Sequence, residues 1–357
     1  MKSLNLMDVT LRDGSYAINF SFSISDTKLI CKKMEDVGFR YIEIGHGVGL
    51  NAGNSQYGSA IQTDEEYMRA AESVLKKAKY GMFCIPGIAR LEDIDLAHKH
   101  NMGFIRIGTN ITEVPQSEEY IKRAKKYKMF VTANYMKSYA MSPKKFAEQV
   151  KLSEKYGVDM VYIVDSAGGM FADDVERYYR AVRKITDLPI GFHAHDNLGL
   201  AVSNSLAAAD MGVDFLDSSL QGLGRSSGNA ATEVLVTALI KRGYNIKINF
   251  LKLLDIGQTY IQPLLPGKGI MPLDVVSGYA EFHSSYMPQI QKCAAKYSVD
   301  PAELIIEISK IDKVHLDPKV LEKVAKRIKK RTNVYLGKYA FNRYIGEEQN
   351  EKKLQPR

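Results

Sequence analysis

Short apolar runs alternate with amphipathic stretches along the chain as far as Arg242. The short runs are bounded by glycine, proline and polar residues and predict strands, whereas apolar residues recur every three or four positions in the longer stretches and predict helices. The predicted strands cover residues 4–10, 41–44, 81–85, 104–107, 130–133, 160–164, 190–193 and 215–217. A predicted helix follows each strand, and the eighth covers residues 229–242.

Eight strand–helix units match the usual content of a (β/α)₈, or TIM, barrel. Regular alternation of strands and helices favours a parallel sheet in any case. A doubly wound open sheet is the alternative, and the count of eight favours closure. We therefore predict an α/β fold in which a TIM barrel is followed by a helical appendage.

The pattern changes after Tyr244, where only helical periodicity continues. The predicted helices cover residues 251–265, 279–297, 301–310 and 318–330. Apolar residues form stripes along these helices, and such stripes need a partner surface to bury them. We expect a barrel domain at 1–245, a helical domain at 246–331 that packs on the barrel and helps form a homo-oligomer, and a disordered polar tail at 332–357.

Composition narrows the class of protein. The 357 residues are 45% hydrophobic and 25% charged, which is an ordinary globular balance with enough apolar residues for a sizeable core. No apolar run has the length of a membrane span, and the N-terminus lacks a signal-peptide pattern. The three cysteines are far apart and odd in number, so a disulfide framework is not expected. A cytoplasmic protein that does not bind membranes is the expectation.

The net charge is +8, and much of the excess lies late in the chain, in and directly after the last predicted helix. A basic helix can bind nucleic acid or an acidic partner, but more often it is a solvated helix face. No recognition motif accompanies the charge, so we expect no nucleic-acid binding. The basic residues are Lys319, Lys323, Lys326, Arg327, Lys329, Lys330 and Arg331.

The first candidate functional residues lie at the end of strand seven, in His193-Ala194-His195. Residues i and i+2 of a strand point to the same side, so the two imidazoles face one way. Two imidazoles on one face suit a divalent metal. A pair of hydrogen-bonded core histidines is the alternative.

Polar residues also follow other strands, and in a TIM barrel the active site lies at the carboxyl ends of the strands. Asp13 follows strand one and completes a set of two histidines and one carboxylate that leaves positions open for substrate or water. The alternatives are an ordinary Arg12–Asp13 ion pair, a helix cap for Asp165, and a tight turn or phosphate cradle for the glycine-rich loop 222–229.

Several motifs carry a resemblance to a known superfamily. Asp8-Val9-Thr10-Leu11-Arg12-Asp13-Gly14, His193-Ala194-His195-Asp196-Asn197 and residues 222–233 resemble the metal-dependent carbon–carbon lyases and synthases that include isopropylmalate synthase and hydroxymethylglutaryl-CoA lyase. Asp13-Gly14-Ser15, Ile42-Glu43-Ile44-Gly45-His46-Gly47, Val164-Asp165-Ser166 and Gly278-Tyr279-Ala280 resemble the 4-hydroxy-2-oxovalerate aldolases. The resemblance extends from about residue 4 to about residue 330.

The resemblance implies a class II aldolase that interconverts a 4-hydroxy-2-oxo acid with pyruvate and an aldehyde. Its implied metal is Mn²⁺ or Mg²⁺, with Co²⁺ and Zn²⁺ as alternatives. The implied roles are metal ligands for Asp13, His193 and His195, oxyanion and substrate binding for Arg12, carboxylate binding for Ser166, and orientation of a ligand or water for Glu43 and Asn229. Loops 47–62 and 134–142 are expected to select the aldehyde, and an acylating aldehyde dehydrogenase is the implied partner.

Two alternative functions are consistent with some of these features. A Claisen-type synthase that joins an acyl-CoA to a 2-oxo acid uses the same metal and arginine. A non-catalytic protein that binds a partner through the basic C-terminal helix is the remaining alternative.

The chain departs from the family pattern at two positions. The family has a histidine after Asp-Gly-Ser where this chain has Tyr16, and a tyrosine after Gly-Tyr-Ala where this chain has His283. A tyrosine with an ordinary pKa of about 10 is a poor base at neutral pH, whereas an imidazole suits that role. We therefore expect His283 to be the general base for the C4 hydroxyl, with Tyr16 as its hydrogen-bonding or proton-relaying partner. The alternative is that His283 is a partly buried helix residue and the aldolase chemistry has drifted or been lost.

Overall fold

A computed structural model describes residues 4–53, 56–265, 272–328, 330 and 341. Eight parallel strands form a closed barrel in chain order, with β8 pairing with β1, so the predicted TIM barrel is confirmed. The strands are β1 Asn5–Asp8, β2 Tyr41–Glu43, β3 Lys79–Cys84, β4 Phe104–Asn110, β5 Phe130–Met136, β6 Met160–Asp165, β7 Ile190–Ala194 and β8 Phe215–Ser218.

A helix follows each strand. The eight helices are α1 Ile24–Val37, α2 Asp64–Val74, α3 Leu91–Lys99, α4 Glu118–Lys126, α5 Pro143–Tyr156, α6 Ala172–Arg183, α7 Ala201–Met211 and α8 Thr232–Lys241. Ser23 and Asp26 form a reciprocal capping box that fixes the start of α1. The prediction that α8 begins at Asn229 is wrong, because the chain at Asn229 is still in a loop that bridges to His195.

The barrel interior is layered along its axis. Apolar side chains from the beginnings of the strands, including Met7, Phe104, Met160 and Phe215, form a buried cluster. Arg106 lies two residues after Phe104, so both side chains point inward, and its guanidinium contacts the ring of Tyr162 at 4.4 Å from the centroid. The apolar cluster therefore closes one end of the barrel and leaves the carboxyl ends of the strands to polar side chains.

The chain beyond the barrel begins with α9 Phe250–Ile256, which continues into a π-helical turn at Gly257–Ile261 and a 3₁₀ turn at Gln262–Leu264. The predicted single helix over 251–265 thus changes its hydrogen-bonding pattern twice. Leu253 and Ile256 belong to the same buried apolar cluster as the barrel strands. This segment therefore packs against the barrel.

Four further helices share a second apolar cluster. They are α10 Pro272–Ala280, α11 Met287–Tyr297, α12 Pro301–Ser309 and α13 Pro318–Ala325. The cluster includes Leu273, Ile290, Leu304 and Leu321, one from each helix. The domain boundaries at 245 and 331 stay predictions, and the predicted tail lies almost entirely outside the described residues.

The prediction of one helix over 279–297 is wrong. The backbone of Glu281 is left-handed, with φ of 54°, which ends α10. A 3₁₀ turn at Ser284–Tyr286 follows, and Pro288 lies in the first turn of α11, where its missing N–H costs no helical hydrogen bond. His283 therefore lies in a connection between two helices.

The connection between α12 and α13 reaches the barrel. The carbonyl oxygen of Val314 accepts hydrogen bonds from Lys137 Nζ at 3.0 Å and from the Tyr286 hydroxyl at 2.6 Å. His315 Nε2 lies 3.2 Å from Glu113 Oε1, on the connection after β4. In the described part of the chain, no helix has both the length and the apolar character needed to cross a membrane.

Candidate active site

Asp13, His193 and His195 come together at the mouth of the barrel. Asp13 begins a short 3₁₀ helix after β1, His193 lies in β7 and His195 follows it. The three side chains are buried, and one candidate ligand atom from each lies within 4.8 Å of the others. His193 Nε2 is 3.8 Å from Asp13 Oδ2, and the two imidazole centroids are 5.0 Å apart. The spacing suits three ligands around one cation.

Both imidazoles are held through their Nδ1 atoms. His193 Nδ1 is 2.8 Å from Asp217 Oδ2, and His195 Nδ1 is 3.3 Å from the carbonyl oxygen of Gly228. When each Nδ1 donates to its oxygen, each Nε2 keeps a lone pair for a metal. Asp217 was not among the predicted site residues, although its spacing from Phe215 in β8 gives a signal, because both side chains must then face the barrel interior.

Electrostatics favour the metal-binding forms of Asp13 and His195. Burial by itself would raise the pKa of Asp13, but Arg12, His195 and His193 hold that pKa well below its usual range. Burial lowers the pKa of His195 to about 3, against the opposing charge of Asp13. A carboxylate and a neutral imidazole are the forms that bind metal, so these residues fit a divalent cation at neutral pH.

Asn229 adds a further oxygen beside this set. Its Nδ2 donates to Asp13 Oδ1 at 3.2 Å and to the carbonyl oxygen of Leu223 at 3.0 Å. Its Oδ1 is buried and accepts no hydrogen bond from the described residues. A buried amide oxygen without a donor is costly unless a cation or water is nearby, so its presence supports a metal site.

The glycine-rich loop supports Asp13. The backbone N–H of Arg225 donates to Asp13 Oδ1 at 3.1 Å. Gly228 has φ of 97°, and a Cβ at this position would lie 1.9 Å from the carbonyl oxygen of Gly222. The loop is therefore a tight turn that needs glycine, and the backbone N–H of Arg225 in this loop donates its hydrogen bond to Asp13.

Arg12 and Arg106 connect the candidate ligands to buried acids. Arg12 donates from Nη1 to Asp13 Oδ2 at 2.5 Å and from Nε to Glu43 Oε2 at 2.8 Å. Arg106 donates from Nη1 to the same Glu43 oxygen at 2.9 Å and from Nη2 to Asp217 Oδ2. Glu43 thus joins two arginines.

These contacts close into a ring, which we call the charged ring. Its members are Arg12, Glu43, Arg106, Asp217, His193 and Asp13, each adjacent to the next. All six are buried. Removing one partner of such a network leaves a buried charge uncompensated, which is strongly destabilising. The ring therefore holds the ligand set and Arg12 in one arrangement.

A cavity with about 430 Å³ of empty space opens at this centre. Arg12, Asp13, His193, His195 and Arg225 line it on one side. Tyr16, Gly47, Val48, Phe83, Ile85, Met136, Asn134, Val164, Arg106 and Ser166 line the rest. The predicted selectivity loops 47–62 and 134–142 thus both contribute to its wall.

Ser166 and Tyr16 both face this cavity. The Oγ atom of Ser166 accepts a hydrogen bond from the backbone N–H of Lys137 at 2.9 Å. The Tyr16 ring packs edge-on against Phe20, with centroids 5.1 Å apart, and the Arg225 guanidinium lies 5.8 Å from its centroid. Both hydroxyl-bearing residues are therefore fixed by their surroundings.

His283 is buried and lies outside the cavity wall formed by the described residues. Its Nδ1 lies 2.7 Å from Ser285 Oγ, within the connection between α10 and α11. Burial holds the pKa of His283 well below its usual range, and the charges of Arg225 and Lys137 act in the same direction. The imidazole is thus neutral at physiological pH.

Two other predicted polar residues have local roles. Asp165 accepts the backbone N–H groups of Gly169 and Met170 at 3.1 and 2.9 Å, and so organises the turn before α6. His46 Nδ1 accepts the N–H of Val48 at 3.1 Å. Both side chains shape loops beside the cavity.

Two histidines and an aspartate at the carboxyl ends of barrel strands, next to a buried arginine, define a class of barrel enzyme with a candidate single-metal centre. The family model described as HMGL-like matches residues 3–259, and the chain belongs to this family. The resemblance inferred from the motifs is confirmed.

Relatives and solved structures agree with this assignment. The 4-hydroxy-2-oxovalerate aldolase of Carboxydothermus hydrogenoformans is 37% identical over 314 residues, which cover 88% of this chain and 94% of the relative. The protein of the same name from Pelotomaculum thermopropionicum is 38% identical over 308 residues, covering 86% and 91%. The carboxyl transferase domain of Rhizobium etli pyruvate carboxylase shares the fold, with a TM-score of 0.75 and 17% identity over 91% of this chain and 60% of that one.

Proposed function

We propose that this chain is a divalent-metal-dependent aldolase that interconverts a 4-hydroxy-2-oxo acid with pyruvate and an aldehyde. The observation that carries the proposal is the cluster of Asp13, His193 and His195 in one cavity with Arg12 and Ser166. Relatives named 4-hydroxy-2-oxovalerate aldolase match almost their whole length to this chain, which supports the same carbon–carbon lyase chemistry here.

Asp13, His193 and His195 would hold the metal, and Asn229 Oδ1 is a further candidate donor. When bound, the ion supplies a Lewis acid for the 2-oxo group of the substrate. The carboxylate and amide oxygens favour Mn²⁺ or Mg²⁺ over Zn²⁺, and the two imidazoles keep Co²⁺ as an alternative.

Arg12 is the proposed donor to the 2-oxo oxygen as negative charge develops there. Glu43 and Asp13 fix its Nε and Nη1. Its Nη2 makes no hydrogen bond to the residues that the structure describes, and Arg12 lines the cavity. A donor that is already oriented needs no reorganisation during the reaction, which is why such groups contribute strongly to catalysis.

Ser166 is the proposed ligand for the substrate carboxylate. Its Oγ accepts the N–H of Lys137, so the hydroxyl proton can point into the cavity. A hydroxyl that accepts from one group and donates to a carboxylate satisfies its hydrogen-bonding capacity. This arrangement orients the 2-oxo acid between Arg12 and the metal ligands.

The proton of the C4 hydroxyl is proposed to pass through Tyr16 to His283. Tyr16 lines the cavity, whereas His283 is not among its lining residues. Burial holds the pKa of His283 low, which makes the free imidazole a weak base, and the negative charge of a bound 2-oxo acid would raise that pKa toward the range that a general base needs. The exchange of tyrosine and histidine relative to the family pattern would then preserve the chemistry.

We also propose that the chain forms a homo-oligomer and associates with an acylating aldehyde dehydrogenase, as the resemblance implies. Exposed apolar surface favours association, and this supports the homo-oligomer. The exposed apolar side chains on α8 and α9 are Val234, Leu251 and Leu254. Light scattering of the full chain measures the oligomer directly. A monodisperse monomer would contradict it.

The experiment that tests the activity combines pyruvate, Mn²⁺ and a panel of aldehydes with the protein. Formation of a product with the summed mass of pyruvate and one aldehyde is the expected result. Release of free thiol from acetyl-CoA in the presence of a 2-oxo acid, without any aldol product, would instead identify a Claisen-type synthase.

A further inference from the structure

A second cleft adjoins the catalytic cavity, and the candidate metal ligands do not line it. Ile85 and Met136 line both spaces, so these two side chains are shared by the cavity and the cleft. The second space, which we call the distal cleft, has about 380 Å³ of empty volume. An aldehyde that extends past Ile85 and Met136 would enter it.

The distal cleft combines apolar residues, including Pro86 and Ile88, with a polar patch. Thr109 and Asn110 at the end of β4 line it, together with Glu113 and Gln116 from the turn that follows. Thr109 and Asn110 are more than nine-tenths buried. No lysine or arginine lines this cleft among the residues that the structure describes. Its wall therefore offers a hydroxyl, two amides and a carboxylate, but no cation for a phosphate group.

The carboxylate of Glu113 is positioned by two side-chain contacts. Its Oε2 accepts a hydrogen bond from Asn110 Nδ2 at 3.0 Å, and its Oε1 lies 3.2 Å from His315 Nε2. Each carboxylate oxygen has a second lone pair, so Glu113 can still accept from a ligand. Since His315 belongs to the connection between α12 and α13, the helical part of the chain helps fix this carboxylate.

From this chemistry we infer that the aldehyde substrate is a neutral hydroxyaldehyde whose hydroxyl groups bind in the distal cleft. The inference rests on the proposed aldolase function and deepens it. In the reaction, the methyl carbon of pyruvate loses a proton and bonds to the aldehyde carbon, and the aldehyde oxygen gains a proton. No oxidant or reductant is needed. Hydroxyl groups donate well to a carboxylate, whereas an alkyl tail gains no hydrogen bond there and a phosphate meets a like charge.

The test compares aldehydes of equal carbon number in the pyruvate condensation. Glyceraldehyde and erythrose are measured against propanal and butanal, with glyceraldehyde 3-phosphate as the anionic probe, and kcat/KM is corrected for hydrated aldehyde. The expected preference is about tenfold or more for the neutral hydroxyaldehydes, as one hydrogen bond to a charged group gives. Equal rates for glyceraldehyde and propanal, or a preference for the phosphorylated probe, would overturn the inference.

Variants locate the preference in the cleft. Glu113→Leu should lower kcat/KM for glyceraldehyde about tenfold and leave propanal within about twofold. Glu113→Gln should recover most of the loss, because an amide oxygen still accepts from a hydroxyl. Glu119→Leu is the matched control, since Glu119 is exposed on α4 and does not line the cleft. An equal loss for both aldehydes in Glu113→Leu would mean that Glu113 has a structural role only.

Exchange of the pyruvate methyl protons with solvent separates this inference from the proposed function, because it needs no aldehyde. Exchange with no preference among aldehydes would overturn the hydroxyaldehyde assignment alone. Absence of both exchange and condensation would overturn the proposed function itself.

Discussion

The two walls of the catalytic cavity are built in different ways. One part of the wall, which we call the charged wall, contains Arg12, Asp13, His193 and His195, which are positioned by hydrogen bonds and ion pairs, several of them within the charged ring. Another part, which we call the apolar wall, contains Phe83, Ile85 and Met136. Directional contacts restrict both the distance and the orientation of their atoms, whereas apolar packing tolerates substitutions of similar volume. We infer that the first wall performs the chemistry and the second selects the aldehyde.

The largest expected effect comes from breaking the charged wall at the metal ligands. Asp13→Ala, His193→Ala or His195→Ala should each lose bound divalent metal and nearly all activity, because two ligands hold an ion poorly. Elemental analysis of purified protein measures the metal. A double histidine variant that keeps stoichiometric Mn²⁺ would show that the metal is bound elsewhere.

The next effect sharpens the comparison at Tyr16, which also lines the cavity. His283→Ala should lower the aldol cleavage rate on the order of 10²–10⁴-fold, the usual contribution of a general base, and Tyr16→Phe should lower it less. Rates and pH profiles of both variants are compared with those of the wild type. Unchanged rates and an unchanged pH profile in His283→Ala would exclude His283 as the base.

Arg12→Lys tests whether the charged wall acts on the reacting oxygen. The variant should fold and bind metal but turn over about 10²–10³-fold more slowly, because an ammonium cannot copy the planar fork of a guanidinium. Metal content and kcat are measured on the same preparation. A change of less than about threefold would mean that Arg12 is only a structural ion-pair partner.

Asp217→Asn probes the support of the charged wall and should have the smallest of these effects on turnover, although removal of this charge from the charged ring should also lower the stability of the fold. Loss of the carboxylate behind His193 should weaken metal affinity about 10–100-fold, with activity recovered at high metal concentration. Asp210→Asn is the matched control, because Asp210 is exposed on α7. Equal metal affinity in both variants would show that Asp217 does not orient His193.

The charged wall could be predicted from the sequence because its residues follow strands at fixed positions. Arg12, Asp13, His193 and His195 lie at strand ends, and closure of the barrel brings strand ends together. Asp217 and Arg106 carry a weaker signal. Each lies two residues after a phenylalanine that points into the barrel, but only the closed structure pairs Arg106 with both Glu43 and Asp217.

The apolar wall and the helical connections were harder to predict for physical reasons. Phe83, Ile85 and Met136 are ordinary apolar residues at the ends of strands, so nothing in their sequence context distinguishes a cavity wall from a core. The break between α10 and α11 interrupts a sequence with helical periodicity, and it depends on the left-handed backbone at Glu281. The burial of His283 close enough to Arg225 and Lys137 to feel their charges depends on long-range packing that periodicity does not encode.

The most direct test of the proposed chemistry is deuterium exchange at the pyruvate methyl group, measured by mass spectrometry in D₂O. Protein loaded with Mn²⁺ should introduce deuterium into pyruvate without any aldehyde. The exchange should disappear after metal removal, return when Mn²⁺ is restored, and be absent from His195→Ala. Loaded protein that leaves pyruvate unlabelled while retaining stoichiometric metal would contradict the account.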